Sequence, residues 1–191
     1  GSTLIFQVHY TTNGTPGRDR SRLGLIFSKE PPAREIRTGL ISNPLFSIPA
    51  GAPNHTVEAE ASFSEDVKVW SMHPHMHLRG KDYEVRLIYP SGKMETIFKA
   101  PWDFNWQLGY DLAEPIPIPK GTRIHTEFTY DNTDGNIRNR HHPPIRVVYG
   151  SNITDEMQDA YLQVTTVRSD ERAAFMENLE QYDLHSQLVG L

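Results

Sequence analysis

Three histidines alternate along one short segment of the chain, at His73, His75 and His77. Successive side chains of a β-strand point to opposite faces, so these imidazoles would share one face. The Cβ atoms of residues two apart lie about 7 Å from each other, which lets both imidazoles of an H-x-H pair converge on one metal ion. Imidazole suits copper, zinc, iron and nickel, so the spacing leaves the metal open. The alternative is a surface strand whose histidines are merely polar. Pro74 lacks a backbone donor and favours an edge strand or a bulge there.

Composition excludes several other kinds of chemistry. The chain has 191 residues, 19 Lys and Arg against 24 Asp and Glu, a formal net charge of −5 and no cysteine. Disulfides, thiolate zinc sites and cysteine nucleophiles are therefore ruled out. The absence of a basic tract removes the usual footprint of nucleic-acid binding, and no apolar run approaches the ~20 residues of a membrane span.

The elements that must position the histidines are predicted to be strands. Short apolar or alternating runs broken by turn residues predict an all-β protein, an antiparallel jelly-roll β-sandwich. The last part of the chain differs, because Phe175, Leu179 and Tyr182 recur at helical spacing and predict a C-terminal α-helix over 169–184. The predicted strands cover 3–10, 23–27, 35–41, 55–63, 67–78, 83–89, 94–99, 106–112, 123–130, 146–149 and 160–167.

The chain is predicted to hold one main β domain. Residues 1–20 are interpreted as the end of an upstream N-terminal β domain or a linking strand, residues 21–168 as the sandwich, and residues 169–191 as the helix and tail. Gly1-Ser2 looks like a cloning remnant, so we expect an excised part of a longer chain.

Several motifs, taken in order, resemble one enzyme family. The segment 75–80 (HMHLRG) is similar to the H-x-H-L-x-G stretch of copper type II ascorbate-dependent monooxygenases, the group of peptidylglycine α-hydroxylating and dopamine β-monooxygenases. The segment 154–161 (TDEMQDAY) resembles the family's D/E-E-M block, and 6–10 (FQVHY) its Q-V-H-Y strand. The resemblance runs from about residue 4 to residue 167.

This resemblance implies a catalytic copper site made of His75, His77 and Met157. Two imidazoles and a soft thioether suit Cu(I). The family hydroxylates an unactivated C–H bond with dioxygen, and ascorbate supplies electrons through a second copper. Without the family, Met157 would be interpreted as a core methionine that fills a gap.

The resemblance also implies that His9 is one part of a second copper site. Its counterpart joins two adjacent histidines of an N-terminal domain at the electron-transfer copper, and those partners are not expected in this chain. We therefore expect the chain alone to be inactive. The pair His141-His142 is interpreted as an exposed loop pair, and His125 as a structural histidine within a strand.

The substrate is the least defined part of the prediction. Tyr161 lies where the peptide-processing enzyme has a substrate-contacting tyrosine, and His73 where it has an arginine. Asp159 replaces an asparagine and would repel a carboxylate substrate.

The leading interpretation is the catalytic half of an extracytoplasmic monooxygenase. It would act on a small-molecule or peptide substrate, in partnership with the N-terminal copper domain. The first alternative is a non-catalytic copper- or ligand-binding module, and the second is a structural jelly-roll without metal.

Overall fold

The computed structural model of the chain describes residues 3–10 and 13–189, with side chains through residue 182. The chain divides into two units, Gly1–Ala33 and Arg34–Leu191. The described residues of the first unit contain no helix or strand, so the predicted strands at 3–10 and 23–27 are wrong. Their apolar side chains, such as those of Ile5 and Ile26, stay exposed because no neighbouring chain segment pairs with them. The proposed domain boundaries at 1–20, 21–168 and 169–191 stay predictions.

Two four-stranded antiparallel sheets form the second unit. The strands are β1 (Arg37–Ser42), β2 (Ser47–Ile48), β3 (His55–Ser62), β4 (Val67–His75), β5 (Gly80–Ile88), β6 (Met94–Pro101), β7 (Tyr110–Ile118), β8 (Arg123–Tyr130), β9 (Val147–Val148) and β10 (Asp159–Thr166). The strand orders in the two sheets are β1-β10-β4-β7 and β3-β8-β5-β6, while the two short strands β2 and β9 pair separately. When the short strands are left out, the first strand (β1) pairs with the last (β10) and the third (β4) with the sixth (β7), which is jelly-roll topology, so the predicted fold class is confirmed.

The core lies between the two sheets because each strand alternates inward and outward residues. On β8, Ile124 and Phe128 are buried, whereas His125 and Glu127 face outward and are half-buried. On β4 the alternation buries Val67 and Val69, and a bulge at Trp70 shifts it by one residue, so that Met72 is buried as well. Period-2 burial of apolar side chains against a facing sheet is the main source of stability in a sandwich.

The C-terminal helix is also confirmed, although it extends further than predicted. A short 3-10 turn (Ser169–Glu171) leads into α1 (Arg172–Val189). Phe175 is fully buried, and the Tyr182 hydroxyl donates to Glu95 Oε1 at 3.0 Å, so the helix packs on the sandwich. No helix within the described part of the chain is long and apolar enough to cross a membrane.

The end of β4 has one open side. β4 pairs with β10 as far as His75, which lies opposite Asp159, but its pairing with β7 ends at Met72. Pro74 therefore meets a neighbour on one side only, and its missing N–H breaks no ladder hydrogen bond there. β4 is therefore a central strand as far as Met72, but its last residues, where the histidines lie, form an edge of the sheet. This agrees with the edge that Pro74 predicts.

Candidate metal centre

His75 and His77 lie side by side where β4 ends. Their ring centroids are 5.2 Å apart and the ring planes are nearly perpendicular, at 84°. His75 is half-buried and His77 is buried. The structure thus brings together the imidazole pair that the spacing predicts.

Each imidazole is oriented by a hydrogen bond at its Nδ1 atom. His75 Nδ1 lies 2.7 Å from Gln107 Oε1, and His77 Nδ1 lies 3.2 Å from the Asp155 carbonyl oxygen. Gln107 Nε2 donates to the Phe104 carbonyl at 3.0 Å, which turns Oε1 toward His75. Both partners can only accept, so Nδ1 carries the proton in each neutral ring and Nε2 keeps its lone pair. Among the described residues, no hydrogen bond reaches either Nε2.

Burial favours the neutral form of the His77 imidazole, which is the form that binds metals. Desolvation lowers the pKa of His77 below its usual range, and the Asp155 carbonyl opposes this only in part. Desolvation, with a smaller contribution from His75, also lowers the pKa of His73. Neutral imidazole is the ligand form, so little proton loss opposes metal binding near neutral pH.

Trp102 supports the imidazole pair from the loop that follows β6. Its indole Nε1 donates to the His77 carbonyl at 3.0 Å, and its ring meets His75 edge-on at a centroid distance of 6.2 Å. The Trp102 ring also lies close to the backbone of residue 80. This position requires glycine, because a Cβ there would overlap with the Trp102 ring and lie 2.8 Å from Met76 Cβ.

Glu156 joins the histidine segment to the segment that carries Met157. Its buried carboxylate accepts the backbone N–H groups of His77, at 2.8 Å, and of Arg79, at 2.6 Å. Burial raises the pKa of Glu156 to about 7, while these N–H donors and the Arg79 charge act in the opposite direction. The two chain segments are therefore held side by side.

Arg79 reinforces the same connection from inside the protein. Its guanidinium is fully buried and lies 3.8 Å from Glu156 Oε1. It donates to the Thr154 carbonyl at 2.9 Å, to Asn132 Oδ1 at 3.0 Å and to Asn139 Oδ1 at 2.9 Å. Arg79 thus ties the segment before Met157 to the turn after β8.

Met157 is half-buried just before β10 begins. Its carbonyl accepts the Tyr130 hydroxyl at 2.7 Å, which fixes its backbone. Gln158 next to it is fully buried. Met157 lies two residues before Asp159, the residue that pairs with His75.

A groove lies beside the histidine pair on the outer face of the same sheet. Its volume is about 340 Å³, and His73 and Tyr161 form one wall. These two residues are cross-strand partners with ring centroids 6.0 Å apart. The remaining lining residues are Thr38, Ser71, Gly109, Asp111 and Gln163.

The family model of the copper type II ascorbate-dependent monooxygenase C-terminal domain matches residues 39–182. The chain belongs to this family. Copper and ascorbate are the cofactor and reductant of the family. The donor set of this monooxygenase domain fits copper, because imidazole nitrogens are good copper ligands and neither Nε2 atom accepts a hydrogen bond from the described residues.

The monooxygenase domain has only weak likeness to solved structures. The infectious bursal disease virus VP2 subviral particle is 14% identical, with 69% of this chain and 32% of that chain covered and a TM-score of 0.34. The structure of infectious bursal disease virus Gx strain is 13% identical, with 69% and 33% covered and a TM-score of 0.26. Dimeric latent PorU from Porphyromonas gingivalis is 12% identical, with 70% and 13% covered and a TM-score of 0.23. The chain spans about a third or less of the length of these structures. No curated protein gives a significant match.

The remaining histidines that the sequence analysis considered differ in their surroundings. His142 uses both ring nitrogens within its loop, at 2.8 Å from Asp134 Oδ1 and 2.9 Å from the Asn139 carbonyl oxygen. His9 is exposed in the first unit, and its role at a second copper stays a prediction. His73 does not join His75 and His77 in a three-residue His or carboxylate cluster among the described residues.

Sequence reasoning missed the residues that orient the histidines. Gln107 and Trp102 come from the loop between β6 and β7. The strand predicted over 106–112 is wrong at its start, because β7 begins only at Tyr110 and Gln107 therefore lies in the loop. Arg79 and Glu156 stand inside the two motifs that resemble the family. The available signal was a charged residue within each motif, Arg79 directly after Leu78 and Glu156 directly before Met157.

Proposed function

We propose that this monooxygenase domain holds the catalytic copper through His75, His77 and Met157, and that it hydroxylates a substrate C–H bond with dioxygen. The observation that carries the proposal is the pair of Nδ1 hydrogen bonds, to Gln107 and to the Asp155 carbonyl. They orient both imidazoles and leave both Nε2 atoms available. When bound there, copper supplies the one-electron redox chemistry that activates dioxygen.

Met157 supplies the third ligand in this proposal. Its backbone is held beside the histidine segment by two contacts. The Glu156 carboxylate accepts the His77 backbone N–H, and the Tyr130 hydroxyl donates to the Met157 carbonyl. A thioether is a soft and neutral ligand, so it favours Cu(I) over Cu(II) and over zinc. Its half-exposed position leaves the ligand set accessible from solvent.

Copper titration against competing chelators tests the ligand set. His75→Ala should weaken Cu(I) binding by more than about 100-fold, because one imidazole and a thioether remain. Met157→Leu conserves side-chain volume and should weaken Cu(I) binding more than Cu(II) binding. Met94→Leu, at an exposed methionine of β6, and His55→Ala are matched controls that should leave both affinities unchanged. Unaltered Cu(I) affinity in His75→Ala would remove the proposed site.

The groove beside the histidines is the proposed substrate site, with Tyr161 and His73 as contact residues. The Asp159 carboxylate lies behind Tyr161, with its Oδ2 atom 3.5 Å from the tyrosine hydroxyl. Burial, followed by the Asp159 charge, raises the pKa of Tyr161. An anionic substrate group at Tyr161 would face this charge, so we propose a neutral or cationic substrate rather than a peptide carboxylate. Binding assays with amine and carboxylate forms of one ligand test this preference.

Complete turnover is proposed to need a partner domain. Hydroxylation consumes two electrons, and one copper ion cycles a single electron. His9 alone is a poor second site, because several preorganised ligands are needed for tight binding. We propose that the N-terminal copper domain of an extracytoplasmic enzyme supplies the others. Oxygen consumption and hydroxylated product should be coupled when that domain is added. Coupled multiple turnovers by residues 1–191 alone would refute this requirement.

A further inference from the structure

The outer face of the other sheet carries a row of carboxylates in register. Glu58 on β3 lies directly opposite Glu127 on β8, and Glu127 lies directly opposite Glu84 on β5. Like charges directly opposite each other destabilise a sheet. This row is therefore a place where a cation would stabilise the fold.

The protein neutralises this row at one end only. Glu84 receives hydrogen bonds from Arg86, Lys99 and Thr96. The Arg86 guanidinium is held by Glu84 and reaches Glu127 Oε2 only at 3.5 Å. Among the described residues, no side chain forms an ion pair or hydrogen bond with the Glu58 carboxylate.

His125 adds an imidazole to the uncompensated end of the row. It lies two residues before Glu127 on β8, and both side chains face outward and are half-buried. One donor atom each from Glu58, His125 and Glu127 lie within 4.8 Å of one another. Three atoms with that greatest separation are at most about 2.8 Å from a common centre, so shifts below ~1 Å reach zinc–ligand distances.

We propose that Glu58, His125 and Glu127 bind a divalent cation of the zinc class. The site lies on the outer face of the sheet that does not carry His75, so it is separate from the copper centre. One imidazole and two carboxylates suit Zn²⁺, or Cu(II) where zinc is absent, and give Cu(I) no soft ligand. Its role is structural, since the cation joins β3 to β8 and screens the repulsion of Glu58 and Glu127. His125, interpreted from the sequence as a structural histidine, becomes a ligand.

Zinc titration of the whole chain tests this site. His75→Ala/His77→Ala removes the competing imidazole pair, and this double variant should still bind one zinc ion. Adding Glu58→Gln or His125→Gln should weaken that binding by at least about tenfold, because one of three ligands is lost. Adding Glu114→Gln, at an exposed carboxylate of β7 in the other sheet, should leave the affinity unchanged.

A second measurement needs no substitution at the copper centre. In wild-type protein loaded with Cu(I), zinc should shift the NMR signals of the His125 ring at the first equivalent and leave those of His75 and His77 in place. A tenfold excess of zinc over Kd should also raise Tm by roughly 3 °C or more.

Three results would overturn the proposal. They are no zinc binding by the double variant, equal loss in Glu114→Gln and Glu58→Gln, or an unshifted His125 signal in a protein that binds zinc. None of them bears on copper at His75 and His77, because that site is removed in one experiment and filled in the other.

Discussion

Replacing the buried Arg79 tests whether the connection between the two site segments stabilises the fold. Arg79→Met keeps much of the side-chain length and removes the guanidinium. Glu156 then loses its buried counter-charge, and the Thr154 carbonyl loses its hydrogen-bond donor. The Asn132 and Asn139 side-chain oxygens each keep one other donor, from the Asn139 side chain and from the His141 backbone N–H.

The expected loss follows from these contacts. Breaking a buried ion pair costs about 3–5 kcal/mol, and an unpaired buried carbonyl costs about 1–3 kcal/mol. Because burial already raises the pKa of Glu156 to about 7, its carboxyl can take up a proton, which favours the lower end of the first range. Thr154 is only half-buried, which favours the lower end of the second. We expect the free energy of unfolding to fall by about 4 kcal/mol, a large part of the 5–15 kcal/mol typical of a domain.

Urea denaturation followed by tryptophan fluorescence measures this change by linear extrapolation. Arg123→Met is the matched control, because Arg123 is half exposed and pairs with Glu60 at the surface. Such a pair contributes about 0–1 kcal/mol. If the two variants differ by less than about 1 kcal/mol, the buried network contributes no more than a surface pair and the reasoning is wrong. Arg79→Met should also weaken Cu(I) binding in the folded protein, since the segment before Met157 loses an anchor.

Three further predictions concern orientation, packing and acid stability. Gln107→Leu removes the hydrogen-bond acceptor of His75 Nδ1. It should lower Cu(I) affinity by roughly tenfold and change the tautomer balance of His75 in ¹⁵N spectra. Asn105→Ala, in the same loop, is the control that should change neither. Gly80→Ala should destabilise the fold by about 1–3 kcal/mol in urea denaturation because its Cβ meets Trp102 and Met76, and Gly39→Ala, where a Cβ meets nothing, is the control that should not. Arg86 and Lys99 lower the pKa of Glu84 from 4.5 to about 2, so the stability that its ionised form contributes is complete above pH 4.5 and is lost as the pH falls toward 2. The stability difference between wild type and Glu84→Gln should therefore shrink from pH 5 to pH 2, and a constant difference would contradict the assignment.

Strand positions were predictable from the sequence wherever a run of alternating apolar residues pairs with a neighbouring strand. The runs 55–63, 94–99 and 123–130 differ from β3, β6 and β8 by no more than two residues at either end. The runs 3–10 and 23–27 have equally strand-like compositions and form no strand, because a strand requires a neighbour to pair with and composition does not supply one.

The candidate site was predictable only in part for a similar reason. Alternation along one strand predicts that His75 and His77 lie close together, and it requires no knowledge of the rest of the fold. Gln107 reaches His75 from a loop 32 residues away, and its position depends on how β6 and β7 pack. Glu156 meets the His77 backbone across 79 residues, so its role depends on the pairing of β4 with β10.

That pairing also sets the order in which the centre can form. β10 is the last strand of the chain and is inserted between β1 and β4. Contacts of such large sequence separation form slowly, because a long loop must close before they stabilise the structure. During synthesis, the histidines leave the ribosome well before Met157, Glu156 and the Asp155 carbonyl are available to join them. A nascent chain would therefore expose two unoriented imidazoles, and the oriented centre would exist only after the final strand has docked. Tight Cu(I) uptake should consequently lag behind the formation of the β3-β8-β5-β6 sheet and report the completion of folding.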